Sequence, residues 1–129
     1  KKYNYSLKSR AFNMLKPDHS FSITKNSAII NVDSIEQLGT NFKPFADFVI
    51  KSSPAIVIDV NHFNELYDPN TLLDYLALKF EHKRGYANGY LTYLRQLESQ
   101  NKIKIIKVHR SHVGTLYHDG FSYIVWKPL

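Results

Sequence analysis

Ala55-Ile56-Val57-Ile58-Asp59-Val60 is the stretch on which the reading of the fold turns. Six residues rich in β-branched side chains, closed off upstream by Ser52-Ser53-Pro54, read as a strand. The run is apolar at both odd and even positions. A strand covered by helices on both faces of a sheet has that pattern, whereas a half-solvated strand alternates. The expectation is therefore a central strand in an α/β arrangement.

Helical signals lie on either side of this strand. Downstream, Asp68-Pro69-Asn70-Thr71 is a helix start with proline in the first turn. Leu72, Leu73, Leu76, Ala77 and Phe80 follow at helical spacing and predict the buried face of a helix over 71–83. Gly85 separates it from a second amphipathic helix over 86–100, with Tyr86, Tyr90, Leu94 and Leu97 on one face and Asn101 as a left-handed cap. Upstream, Ser34 and Gln37 stand at capping-box spacing. Pro44 would interrupt that helix, so a break is expected near Gly39 to Pro44 and a second helical piece from Phe45 to Lys51.

The remaining pieces complete a mixed architecture. Phe21, Ile23 and Ala28 to Val32 read as two strand pieces about the polar turn Lys25-Asn26-Ser27. Lys102 to His109 and Phe121 to Lys127 read as a C-terminal β-hairpin whose loop holds Gly114 and Asp119-Gly120. Residues 1–19 form a basic arm or a short helix, with Leu7, Ala11, Met14 and Leu15 at helical spacing before Lys16-Pro17-Asp18. Residues 20–129 then make one α/β (mixed α+β) domain, with a mixed sheet of about four to five strands packed by helices. At 129 residues and 43% hydrophobic composition, one domain with one core is expected.

Composition removes several function classes. The chain has no cysteine, which excludes disulfides and thiolate zinc sites and agrees with a soluble protein acting in the cytoplasm. No apolar run approaches a membrane helix. No glycine-rich phosphate loop, serine-hydrolase elbow, HxH or HxxxH pair is present, and no cofactor is expected. The net charge is +6, unevenly spread. Residues 1–16 carry five bases and no acid, 17–75 are net −5, and 76–129 are net +6. Such a surface attracts polyanions.

The cations and imidazoles concentrate between Lys102 and His118. On a strand, Lys102 and Lys104 share a face opposite Ile103 and Ile105. A hairpin could bring His109, His112 and His118 beside Lys104 and Arg110. That is the equipment of a metal-independent ribonuclease of the toxin type: one imidazole takes the 2′-hydroxyl proton, another protonates the leaving oxygen, and a cation steadies the phosphorane. Lys102, Lys107, Lys83, Arg84 and Arg95 would hold phosphate, and Tyr117 or Tyr123 would stack a base. The leading expectation is an RNA-directed basic domain with RNA as its partner.

Three other readings stand beside it. Two helices over 71–100 followed by a hairpin are the element order at the end of a winged helix. Asn88, Thr92, Arg95 and Ser99 would then face duplex DNA, with Lys83 and Arg84 on phosphate. Asp59 ends the central strand and His62, Glu65 and Asp68 come after it, where carboxylates could hold magnesium or manganese, although Asp68 doubles as a helix cap. Finally, the basic surface could meet an acidic protein partner in a regulatory module.

Overall fold

The protein is described here by a computed structural model covering residues 8–115 and 118–129, with only the backbone of residues 118–120. Strand β1 (Ala28–Val32) leads through a 3-10 turn (Glu36–Leu38) and helix α1 (Lys43–Ser52) to strand β2 (Ile56–Asn61). A second 3-10 turn (Asn64–Leu66) precedes helices α2 (Leu72–Arg84) and α3 (Tyr90–Ser99). Strand β3 (Ile103–His109), a small ribbon of β4 (Val113–Thr115) and β5 (His118–Gly120), and strand β6 (Ser122–Pro128) finish the chain. The main sheet is mixed, in the order β1-β2-β6-β3, and the domain is a single mixed α/β unit. β1 and β2 are parallel, while β6 runs antiparallel to both β2 and β3. The carboxyl ends of β1, β2 and β3 therefore meet at one end of the sheet.

The core lies on one face of that sheet. Val57, Ile124, Trp126 and Ile103 point into it and meet Phe45, Phe48 and Val49 of α1 and Tyr90, Leu91, Leu94 and Leu97 of α3. Burying a large apolar side chain of this kind contributes about 1.5–3 kcal/mol. The inward face of β2 also carries Asp59, which is fully buried. Its carboxylate accepts from the Asn31 amide, from the Tyr90 hydroxyl at 2.8 Å and from Trp126 Nε1 at 2.7 Å. Burial raises the Asp59 pKa, and the three donors oppose that rise. A buried carboxylate needs such partners.

The expectation that helices cover both faces of β2 is corrected. Ile56, Ile58 and Val60 point away from the core and are half-buried, and their β1 neighbours Ile30 and Val32 are 63% and 52% exposed. An apolar run shows only that both faces lack polar groups. Which face receives a helix depends on where the crossover packs.

Helix α2 corrects a second expectation. Of its predicted stripe only Ala77 is buried; Leu72 is 72% and Leu73 62% exposed, with Leu76 also outward. Asp74 and Glu81 face inward instead. Asp74 is drawn in by Arg110, and Glu81 is buried next to Tyr67 and His62. Specific ion pairing here overrides hydrophobic periodicity. Gly85 closes the helix in the left-handed conformation (φ 68°), with its N–H on the His82 carbonyl and the Tyr86 N–H on that of Glu81.

Smaller differences have local causes. Pro44 sits in the first turn of α1, where its missing N–H costs nothing, and so opens that helix. Ser34 does not cap; the Asn61 Oδ1 accepts from the N–H groups of Ser34 and Ile35 and ties the 3-10 turn to β2. Residues 8–16 are not helical, because Asn13 Oδ1 takes the N–H groups of Leu15 and Lys16 in a competing local turn. The same segment delivers Phe12 and Met14 to the edge of the core. Phe21 and Ile23 pack there too, without joining a strand. The first seven residues of the predicted arm lie outside the described residues.

Candidate functional site

Register determines which side chains share the open face of the sheet. Continuing the β2–β6 register by one residue, one outward row runs Ala28, Ile56, Lys127, Lys104; the next runs Ile30, Ile58, Val125, Lys107; the last Val32, Val60, Tyr123, His109. Strict alternation along β3 would place Lys107 and His109 on the opposite face from Lys104. A bulge between Ile105 and Lys107 inserts one residue, Ile106, and reverses the alternation. Lys104, Lys107 and His109 consequently point the same way.

Tyr123 is the centre of this group. The Lys107 ammonium lies 5.6 Å from its ring centroid, and the His109 ring lies 4.9 Å away at an interplanar angle of 37°. None of the twelve positions in the three rows is acidic. One half of the open face is thus aliphatic, and the other is cationic around a single aromatic ring.

Other predicted residues fall elsewhere. Arg110 is held by Asp74 through two 2.6 Å hydrogen bonds, donates to the Leu66 carbonyl at 3.1 Å and covers the Tyr67 ring. Its pairing pushes the Asp74 pKa down to about 2, with His112 close enough to add to the effect. Lys102 is exposed just before β3. Lys83 and Arg84 end α2, with the Arg84 guanidinium 5.7 Å from the Tyr86 ring centroid. Arg95 lies with Thr92 and Ser99 on the exposed side of α3, and Asn88 is exposed just before that helix. Tyr117 and the His118 side chain lie outside the described residues. Lys127, absent from the predicted set, joins the open face through its pairing with Lys104.

The residues following β2 form a separate polar cluster. Asp59 is not part of it, being enclosed in the core, and Asp68 bonds locally to Asn70. His62 instead approaches Glu36, with Nε2 4.0 Å from Oε2, and stacks on Tyr86 at an interplanar angle of 4°. Ligand atoms of Asp33, Glu36 and His62 all lie within 4.8 Å of one another. Glu65 Oε1 accepts the N–H groups of Leu91 and Thr92 at the start of α3. Glu81 is 1% exposed, and its pKa is raised to about 7, chiefly by burial and further by the charges of Glu36 and Glu65. Tyr67 and His62 counter that rise.

Asp33 and Glu36 were not singled out from the sequence. They follow β1 as His62 follows β2, so parallel pairing of those strands was the signal that would have joined them. Ligands gather at the carboxyl ends of strands in such arrangements. Comparison with protein-family models, curated proteins and solved structures gives no significant match. Among the described residues no helix is long and apolar enough to cross a membrane.

Proposed function

We propose that the domain binds single-stranded RNA on the open face of its sheet. The observation that carries this reading is the acid-free set Lys104, Lys107, His109, Tyr123 and Lys127 on one face. An aromatic ring flanked by cations suits an unstacked base and its phosphates, a contact contributing about 1–3 kcal/mol per base. Duplex nucleic acid conceals its bases and offers such a ring nothing to stack on. The chain's net charge of +6 favours encounter with any polyanion, and Tyr123 supplies the preference for single strands.

Binding is the reading this face supports, and cleavage is read separately by assay. A ribonuclease of the expected kind needs a second imidazole working opposite His109. His112 lies close enough to Asp74 to add to its shift, Arg110 is committed to Asp74, and the His118 side chain lies outside the described residues.

The test is fluorescence anisotropy with a labelled single-stranded RNA, a single-stranded DNA and a duplex DNA, in EDTA, across a salt series. The expected result is tightest binding to single-stranded RNA, weakened steeply by salt. Gel analysis of the same samples reads cleavage directly. Equal or tighter binding to duplex DNA would favour the exposed face of α3 instead. No binding to any of the three overturns the proposal.

A further inference from the structure

We infer that Asp33, Glu36 and His62 form a binding site for one divalent transition-metal ion, where the parallel strands β1 and β2 end. This site is distinct from the open sheet face and does not depend on the RNA reading.

The geometry is close to coordination. The three ligand atoms lie within 4.8 Å of one another. Atoms sharing one ion at about 2.1 Å stand about 3–4 Å apart, so side-chain movements of about an ångström complete the site. Each ligand comes from a backbone position that β1 and β2 hold in register: Asp33 directly after β1, Glu36 in the following 3-10 turn, and His62 directly after β2. His62 is further held by its stack on Tyr86.

A second observation is independent of the trio. The buried side-chain polar atoms without a hydrogen-bond partner among the described residues are Asn61 Nδ2, Asn64 Oδ1, Glu65 Oε2 and both oxygens of Glu81. All belong to this end of β2 or to the α2 residue facing it. Buried polar atoms are nearly always paired, and a local group of exceptions marks a place where an ion or water is bound. Four of these five atoms are oxygens. Glu81 is almost completely buried. Several carboxylates buried around one imidazole are costly unless a cation balances them.

The donor set indicates the kind of ion. Two carboxylates with one imidazole suit manganese, iron(II) or zinc, whereas calcium and magnesium favour all-oxygen shells. A cleft of about 590 Å³ is lined in part by Asn64 and by Tyr86, the ring on which His62 stacks.

The test uses the whole chain, stripped with EDTA and dialysed. Mn²⁺ is titrated with electron paramagnetic resonance and calorimetric detection, and Zn²⁺ by its effect on melting temperature. The expected result is one Mn²⁺ per chain and a melting temperature raised by about 10 °C at a hundredfold excess over Kd. His62→Ala should weaken Mn²⁺ binding by at least about tenfold. Asp33→Asn, at an exposed position, should do the same and covers the case in which His62→Ala fails to fold. Absence of stoichiometric Mn²⁺ and of any Zn²⁺-dependent stabilisation overturns the proposal. So does undiminished Mn²⁺ binding by folded Asp33→Asn.

Discussion

Arg110 grips Asp74 with two parallel 2.6 Å hydrogen bonds, tying the residue after β3 to the first turn of α2. This pair explains why α2 turns a carboxylate inward and leaves Leu72 and Leu73 in solvent. Asp74→Asn should destabilise the fold by about 2 kcal/mol at pH 7, as expected for losing charge-assisted hydrogen bonds. The pH dependence follows from the direction of the shift. Asp74 titrates near 2 in the folded protein against an ordinary 3.8, so its contribution is complete above about pH 4 and disappears as pH falls toward 2. Urea unfolding across this window should show the acid limb flattened in Asp74→Asn. An unchanged limb would mean that the pair contributes nothing.

The Asp59 network has a different signature. Tyr90→Phe removes one of three donors to a fully buried carboxylate and should cost about 1–3 kcal/mol in chemical denaturation. Burial and the neighbouring Asp59 hold the Tyr90 hydroxyl well above its usual pKa, so it remains a donor through any alkaline range the fold survives. A loss below about 0.3 kcal/mol would show that Asn31 and Trp126 suffice.

One-sided packing of the sheet predicts a contrast between two apolar residues. Ile30→Thr, on the open face, should change stability by no more than about 0.5 kcal/mol. Leu94→Ala, fully buried on α3, should cost about 2–5 kcal/mol. Comparable losses at the two positions would mean that the open face is covered in solution.

These contrasts also define what could be read from sequence. Strand β1 and most of β2 were legible, because β-branched runs between turn residues have few alternatives. Helix α2 was placed within a residue at each end, and Asn101 does adopt a left-handed conformation (φ 56°). The orientation of α2 was not legible, since a distant arginine reverses its hydrophobic stripe. Nor was the bulge at Ile106, which determines whether Lys107 and His109 join Lys104 or oppose it. A single inserted residue exchanges faces, and no composition signal marks it. The cation-rich segment is visible in the sequence, but its division between the open face and the Asp74 pair required the register. Asp33 and Glu36 went unnoticed because they meet His62 only through pairing of β1 with β2.

The most direct measurement is an amide chemical-shift titration of the labelled protein with a short single-stranded RNA. The account predicts perturbations along β3 and β6, centred on Lys107, His109 and Tyr123, with Tyr123→Ala weakening binding by about 1–3 kcal/mol. Perturbations confined to Thr92, Arg95 and Ser99 on α3, with Tyr123→Ala binding as tightly as the unaltered chain, would contradict it.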